Sequence, residues 1–162
     1  MKFEELRILR VAEAIADGLW REVVRWDSFV RDVVGGQLAR AADSIGANIA
    51  EAFGRFHYGE KLQFLYYARG SLFETKYWLN RALERDLMMS AKAQDYASQL
   101  TSLACQLNSF AASLKSQRHG THSQSKTVRE PAADYTADLP EDAFSPLFID
   151  EEFDWLATVP NP

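Results

Sequence analysis

The 162-residue chain holds one cysteine, three histidines and five prolines, and no proline precedes Pro131. A single Cys105 excludes an intramolecular disulfide and lacks companions at a metal-ligand spacing; off the core seam of its helix, it is expected as a buried or interfacial thiol. No apolar run approaches the roughly 18 residues that span a bilayer. Glu4, Glu5 and Arg7 follow Met1 too closely for the apolar core of a secretory leader. No membrane contact and a reducing, cytoplasmic setting are therefore expected. Neither a phosphate-cradling glycine loop between a strand and a helix nor a nucleophile elbow occurs.

The net charge of -5 conceals an asymmetry. Residues 1–118 carry 16 Lys/Arg against 14 Asp/Glu, whereas 119–162 carry 2 against 9. A nearly neutral body thus precedes an acidic tail, and the length suits one domain with one sizeable core.

Helical periodicity dominates the body. From about Glu4 to Val34, Ile8, Ala12, Ile15, Leu19, Val23, Trp26, Val30 and Val33 recur every three or four residues, which predicts one long helix ended by Gly35-Gly36. A second helix over about 37–56 buries Leu38, Ala41, Ala42, Ile45, Ile49, Ala52, Phe53 and Phe56; Gly46 within it suggests a bend or a close contact. The third, about 60–85, carries two seams: Phe64, Tyr67, Ser71, Glu74 and Trp78 on one side, and Leu62, Leu65, Arg69, Leu72, Lys76, Leu79 and Leu83 on the other. One seam suffices inside a single bundle, so the second is expected to meet another copy. After a short connection, Ser90 is placed as N-cap of a fourth helix through Ala93, Tyr96, Leu100, Leu103, Leu107, Phe110 and Leu114, fraying near Gln117. The expected fold is all-α, an antiparallel up-down four-helix bundle over 1–117 with a largely disordered C-terminal tail over 118–162.

Within that tail, about 118–142 reads as disordered linker, rich in small, polar and proline residues. Residues 144–156 alternate bulky apolar groups with acids. Such a peptide cannot build a core, but Phe148, Phe153, Trp155 and Leu156 are anchors for a groove, either on this bundle or on another protein.

A second, polar stripe flanks the core face of the second helix: Gln37, Ser44, Asn48, Glu51 and Arg55. An unpaired buried amide or carboxylate costs about 1–3 kcal/mol, so a structural network with Arg40, Glu74 or Arg69 is the simplest reading. A di-metal bundle site would need Glu-x-x-His pairs on two helices, and none is present. His57 reads as a surface turn residue, and His119 and His122 lack a third ligand. No cofactor, no metal and no catalytic residue is assigned. Arg7, Arg10, Arg21, Arg25 and Arg31, with Arg81 and Arg85, form candidate nucleic-acid contacts, although Glu13, Asp17, Glu22, Asp27 and Asp32 interleave with the first five. The acidic tail is a candidate occupant of such a basic surface.

Three runs carry a resemblance: Gln37-Leu38 through Arg40-Ala41-Ala42; Ser44-Ile45 with Asn48-Ile49-Ala50-Glu51 and Gly54-Arg55; and Phe64-Leu65 with Ala68, Gly70-Ser71 and Glu74. Over about residues 8–116 the chain resembles the four-helix bundle proteins encoded in intervening sequences of bacterial large-subunit ribosomal RNA genes. Gly46 and Ala52 stand where that family usually has proline and glycine. The resemblance implies a bacterial homo-oligomer, commonly a pentamer, and a looser likeness to accessory proteins of diversity-generating retroelements, which bind a reverse transcriptase and nucleic acid. The expectation is a non-enzymatic, self-associating scaffold that binds RNA, DNA or a nucleic-acid enzyme such as a reverse transcriptase. The alternative is a protein-interaction adaptor that presents its hydrophobic-acidic C-terminal peptide to a protein partner.

Overall fold

The structure is a computed structural model that describes residues 7–122, with side chains as far as Leu114, and residues 146–160. Every regular element among them is helical: α1 (Arg7–Val23), α2 (Ser28–Val30), a π-helical segment (Arg31–Gly35), α3 (Gly36–Gly54), α4 (Tyr58–Glu84), α5 (Ser90–His122) and α6 (Asp150–Ala157). α1 and α4 each touch both α3 and α5, so the four long helices enclose a common core. Leu19, Leu38, Ile45, Ile49, Leu65, Leu72, Leu79, Leu100, Leu103 and Leu107 are fully buried there. α6 packs on α5.

The first departure from the sequence reading is the break after Val23. Residues 24–27 turn the chain, and Asp27 caps α2 by accepting the Phe29 N–H at 3.0 Å. From Ser28 the helical path runs through Gly35-Gly36 to Gly54 without interruption. The glycine pair therefore does not end a helix: Gly35 and Gly36 both have φ of -61°, and no described glycine has positive φ. Close packing is what Gly35 serves. A Cβ there would stand 2.5 Å from Val23 Cγ1 and 3.3 Å from Trp26 Cε3, where the chain folds back on itself. The π segment adds a residue to its turn and rotates the inward face, so Val34 is buried while the expected Val33 is 48% exposed.

Gly46 marks no break in α3. A Cβ would lie 3.7 Å from Leu9 Cδ1 and 3.9 Å from Ala12 Cβ, both ordinary contacts. Phe56, assigned to the core stripe, lies past the end of α3 and is 90% exposed. α4 closes with its Asp86 at φ 56°, the Leu87 N–H reaching the Ala82 carbonyl and the Asp86 N–H the Leu83 carbonyl. α5 begins at Ser90 itself, with the Ala93 N–H bonded to the Met89 carbonyl, so the N-cap position falls on Met89. α5 continues past Gln117 to His122. The remainder of the segment read as linker, 123–142, lies outside the described residues.

The leucine seam of α4 also departs from the sequence reading. Leu62, Leu65, Leu72, Lys76, Leu79 and Leu83, expected to meet another copy, are buried within this chain. The aromatic seam is the more open one: Tyr67 is 49% exposed, and Phe64 and Trp78 are half-buried. Of the two settings expected for Cys105, burial within the chain is excluded, because the thiol is exposed.

The two glycine environments give opposite expectations. Gly46→Ala should raise stability by about 0.5–1 kcal/mol, because the methyl fits and the unfolded chain loses freedom. Gly35→Ala should lower it by about 1–3 kcal/mol through overpacking against Val23. Urea unfolding of both variants checks the pair; the reverse order would refute the packing described at Gly35.

Candidate functional site

Two places in the molecule combine chemistry with shape. The first is a groove along α4 and α5 that residues 146–160 of the same chain fill. Leu147, Phe148 and Leu156 are buried in it. Each such side chain contributes about 1.5–3 kcal/mol of burial. Phe148 stacks on Phe73 at 5.8 Å between ring centroids, and Trp155 stacks on the same ring at 5.4 Å.

Polar contacts grip the segment mostly by its backbone. The Asn108 side chain works both ways: its Nδ2 donates to the Phe148 carbonyl at 2.9 Å and its Oδ1 accepts the Phe148 N–H at 2.9 Å. Gln94 Nε2 donates to the Ala157 carbonyl at 2.8 Å. Lys76 Nζ donates to the Thr158 carbonyl at 2.5 Å and to Asn80 Oδ1 at 2.8 Å. In register, Phe148 lies at Asn108 and Ala157 at Gln94, while Glu152 lies at Arg69 and Thr158 at Lys76; α6 thus runs with α4 and against α5.

One side chain of the segment is read by charge. Glu152 pairs with Arg69 through Oε1, while its Oε2 accepts the Ile149 N–H at 3.0 Å. The same carboxylate therefore caps α6 from within its first turn, where Asp150, Glu151 and Glu152 face the positive helix end. The buried Arg69 Nε has no hydrogen-bond partner. Its guanidinium instead lies 4.8 Å from the Phe73 ring centroid and 5.6 Å from that of Phe148.

Lys76 is 0% exposed, with its ammonium 5.1 Å from the Trp155 ring centroid. Burial lowers its pKa from 10.5 to about 8, because the charged form loses water that two acceptors replace only in part. Of the four predicted peptide anchors, Phe148 and Leu156 are buried, Phe153 is half-buried against the core, and Trp155 keeps 41% exposure on the rim. Phe73, Asn80, Gln94 and Asn108 have no part in the sequence reading. The available signal is the pair of cations, Arg69 and Lys76, interrupting a leucine seam.

The second place is the open face between α3 and α4. Ser44 Oγ donates to the Arg40 carbonyl at 2.8 Å; Asn48 Nδ2 donates to the Ser44 carbonyl at 2.8 Å and to Ser71 Oγ at 3.3 Å. Glu51 and Arg55 pair one turn apart, and the Arg55 guanidinium sits 4.7 Å over the Phe64 ring, itself edge-on to Tyr67 at 5.5 Å. Asn48–Ser71 is thus the bond that crosses between helices. The expected network is therefore smaller than the stripe: Gln37 is half-buried and Glu74 exposed, both outside these bonds, and Arg69 serves the other groove.

The candidate nucleic-acid arginines are dispersed. Arg7, Arg10 and Arg21 share an exposed stripe of α1 by their spacing, Arg25 lies in the turn, and Arg31 lies in the π segment beside Asp32 at 3.8 Å. Arg81 pairs with Glu84, and Arg85 is exposed at the end of α4. Glu22 is drawn across to Lys92 at 2.6 Å. With Arg21 and Asp95 nearby, Tyr96 has its pKa raised, chiefly by burial and next by Glu22. Among the described residues of the tail, Glu152 pairs with Arg69. A hollow between α1 and α3 is lined by alanines with Glu13, Asp17 and Asp43, a charge that repels phosphate. His57 is exposed in its turn, edge-on to Phe56 at 5.4 Å. Among the described residues no three His, Cys, Asp or Glu side chains converge as a metal site, and no helix is long and apolar enough to cross a membrane.

The family model described as 23S rRNA-intervening sequence protein matches residues 4–109. No curated protein matches the chain. The matched region contains the α3–α4 face and stops within α5, short of residues 146–160.

Two measurements test the groove. Asn108→Ala strands the Phe148 N–H and carbonyl, and should speed hydrogen exchange of 146–160 by about 10-fold or more, at about 1–3 kcal/mol, with the α1–α4 core unchanged. For Lys76, the folded chain binds fewer protons than the unfolded one between pH 8 and 10.5. The burden of the buried charge is therefore full below pH 8 and relieved as pH rises. Stability of the parent minus that of Lys76→Met should climb across this window by at most about 1.4 kcal/mol per pH unit; a flat difference in urea titrations would contradict it.

Proposed function

The chain belongs to the 23S rRNA-intervening sequence protein family, and from that premise we propose that it is a non-enzymatic scaffold. On this reading an up-down four-helix bundle associates with copies of itself, as a pentamer by family resemblance, and binds RNA or a nucleic-acid enzyme such as a reverse transcriptase. The observation that carries self-association is the α3–α4 face. Phe64, Tyr67 and Trp78 remain partly open beside a polar row whose members are already held by bonds from Ser44, Asn48 and Arg55. Rigid aromatics and a stacked arginine lose little freedom on association, and are the residue types enriched at the centres of protein interfaces.

The case for nucleic acid rests on multiplication. Arg7, Arg10 and Arg21 on one stripe of α1 are few in a single copy, but an assembly repeats them, and phosphate affinity scales with the cations engaged. The adaptor alternative would first have to draw Phe148 and Leu156 out of the groove. Such a step separates it from the scaffold reading.

Light scattering at low micromolar protein tests the proposal. The 18.4 kDa chain should report several copies per particle, and Tyr67→Glu should weaken the assembly at least 10-fold, about 1.4 kcal/mol or more. A single-copy particle for the parent chain would sink it.

A further inference from the structure

We propose that the α4–α5 groove is a receptor for a short acid-capped helical peptide, and that between assembled copies it takes residues 146–160 of a second copy in place of its own. The pattern it reads comprises a Leu-Phe pair before the helix, a glutamate at the third helical position, and an aromatic and a leucine one turn later, as in Leu147-Phe148, Glu152 and Trp155-Leu156. Asn108, Gln94 and Lys76 hold the backbone at Phe148, Ala157 and Thr158, and Arg69 selects the acid. Nothing in this contact set depends on which copy supplies the peptide.

Reach permits both sources. α5 carries the chain 14 residues beyond Asn108 to His122, about 21 Å along the helix. The 23 residues 123–145 then lead to Pro146, and their contour spans up to about 80 Å. Returning to Asn108 of the same chain uses a fraction of that length. A groove on another copy placed within one or two helix diameters, about 10–12 Å each, would fall inside the same contour length. An empty groove would expose Phe73 and leave Lys76 and Arg69 without Thr158 and Glu152, so each groove favours being filled by one arm or the other. Holding copies together raises the effective concentration of the neighbour's arm toward that of the tethered one.

The inference deepens the self-association reading without using the aromatic face, and a charge exchange tests it on full-length chains. Arg69→Glu faces its own Glu152, and Glu152→Arg faces its own Arg69, so each variant alone should lose protection of 146–160 from hydrogen exchange by at least 10-fold. Mixed and refolded together, each groove finds a matching arm only on the other variant. Protection should return at least 10-fold, and heteromers should be visible by native mass spectrometry. A mixture whose protection equals the average of the separate samples overturns the exchange. Should either variant fail to fold by circular dichroism, Trp155→benzoylphenylalanine decides instead. Isotopically light and heavy chains are refolded together from urea and photo-crosslinked. Mixed light–heavy crosslinks from position 155 to α4 support exchange, and same-isotope crosslinks alone overturn it. An assembly that scatters as several copies yet gives same-isotope crosslinks alone would retain the scaffold reading and lose this one.

Discussion

Two cations sit in the leucine seam of α4, and the molecule is arranged around satisfying them. A ladder of Leu62, Leu65, Leu72, Leu79 and Leu83 would close against three other helices without help, but Arg69 and Lys76 fall in the same row. Burying either charge without partners costs several kcal/mol. The chain resolves this by folding back its own C-terminal segment. Glu152 neutralises Arg69, the Thr158 carbonyl accepts from Lys76, and Phe148 and Trp155 lay aromatic faces beside both heads. The apolar burial of Leu147, Phe148 and Leu156 then supplies the affinity, while the charges set the register.

That arrangement separates two surfaces of one helix. The leucine side of α4 is occupied by the chain itself, and the aromatic side, facing Ser44, Asn48 and Arg55 of the α3 end, stays open. The family match spans the open face and excludes the peptide. The groove residues Arg69, Lys76, Gln94 and Asn108 lie within the matched range as well, so the match holds both flanks of α4 and only the peptide falls outside it.

Much of the helical content is legible from spacing. The stripes of α1, α3 and α5 place Ile8, Ala12, Ile15, Leu19, Leu38, Ile45, Ile49, Leu100, Leu103 and Leu107 in the core, as the 3.6-residue period requires. The departures have specific causes. Gly35-Gly36 signals a helix end by residue type, yet here Gly35 is needed for the approach of Val23 and Trp26, and a π turn absorbs the change of phase. Asp27, with its short capping side chain, is the better boundary mark. In the groove, the anchors Phe148 and Leu156 are readable as a greasy-acidic peptide, whereas Asn108 and Gln94 carry no local signal, because a backbone clamp is defined by what lies opposite.

Sequence alone determined the all-helical character, the period of each core stripe, the acidic and apolar make-up of the C-terminal peptide, and the family. Each of these is a matter of near-neighbour chemistry, which a linear chain contains. Only the tertiary structure decided which seam of α4 is covered, by which segment, and what answers Arg69 and Lys76. Residue 69 meets residue 152 across 82 intervening positions, and no local rule selects among the many distant acids that could neutralise it. The choice is made by the depth of the groove and the fit of Phe148 against Phe73, which exist once the helices have packed.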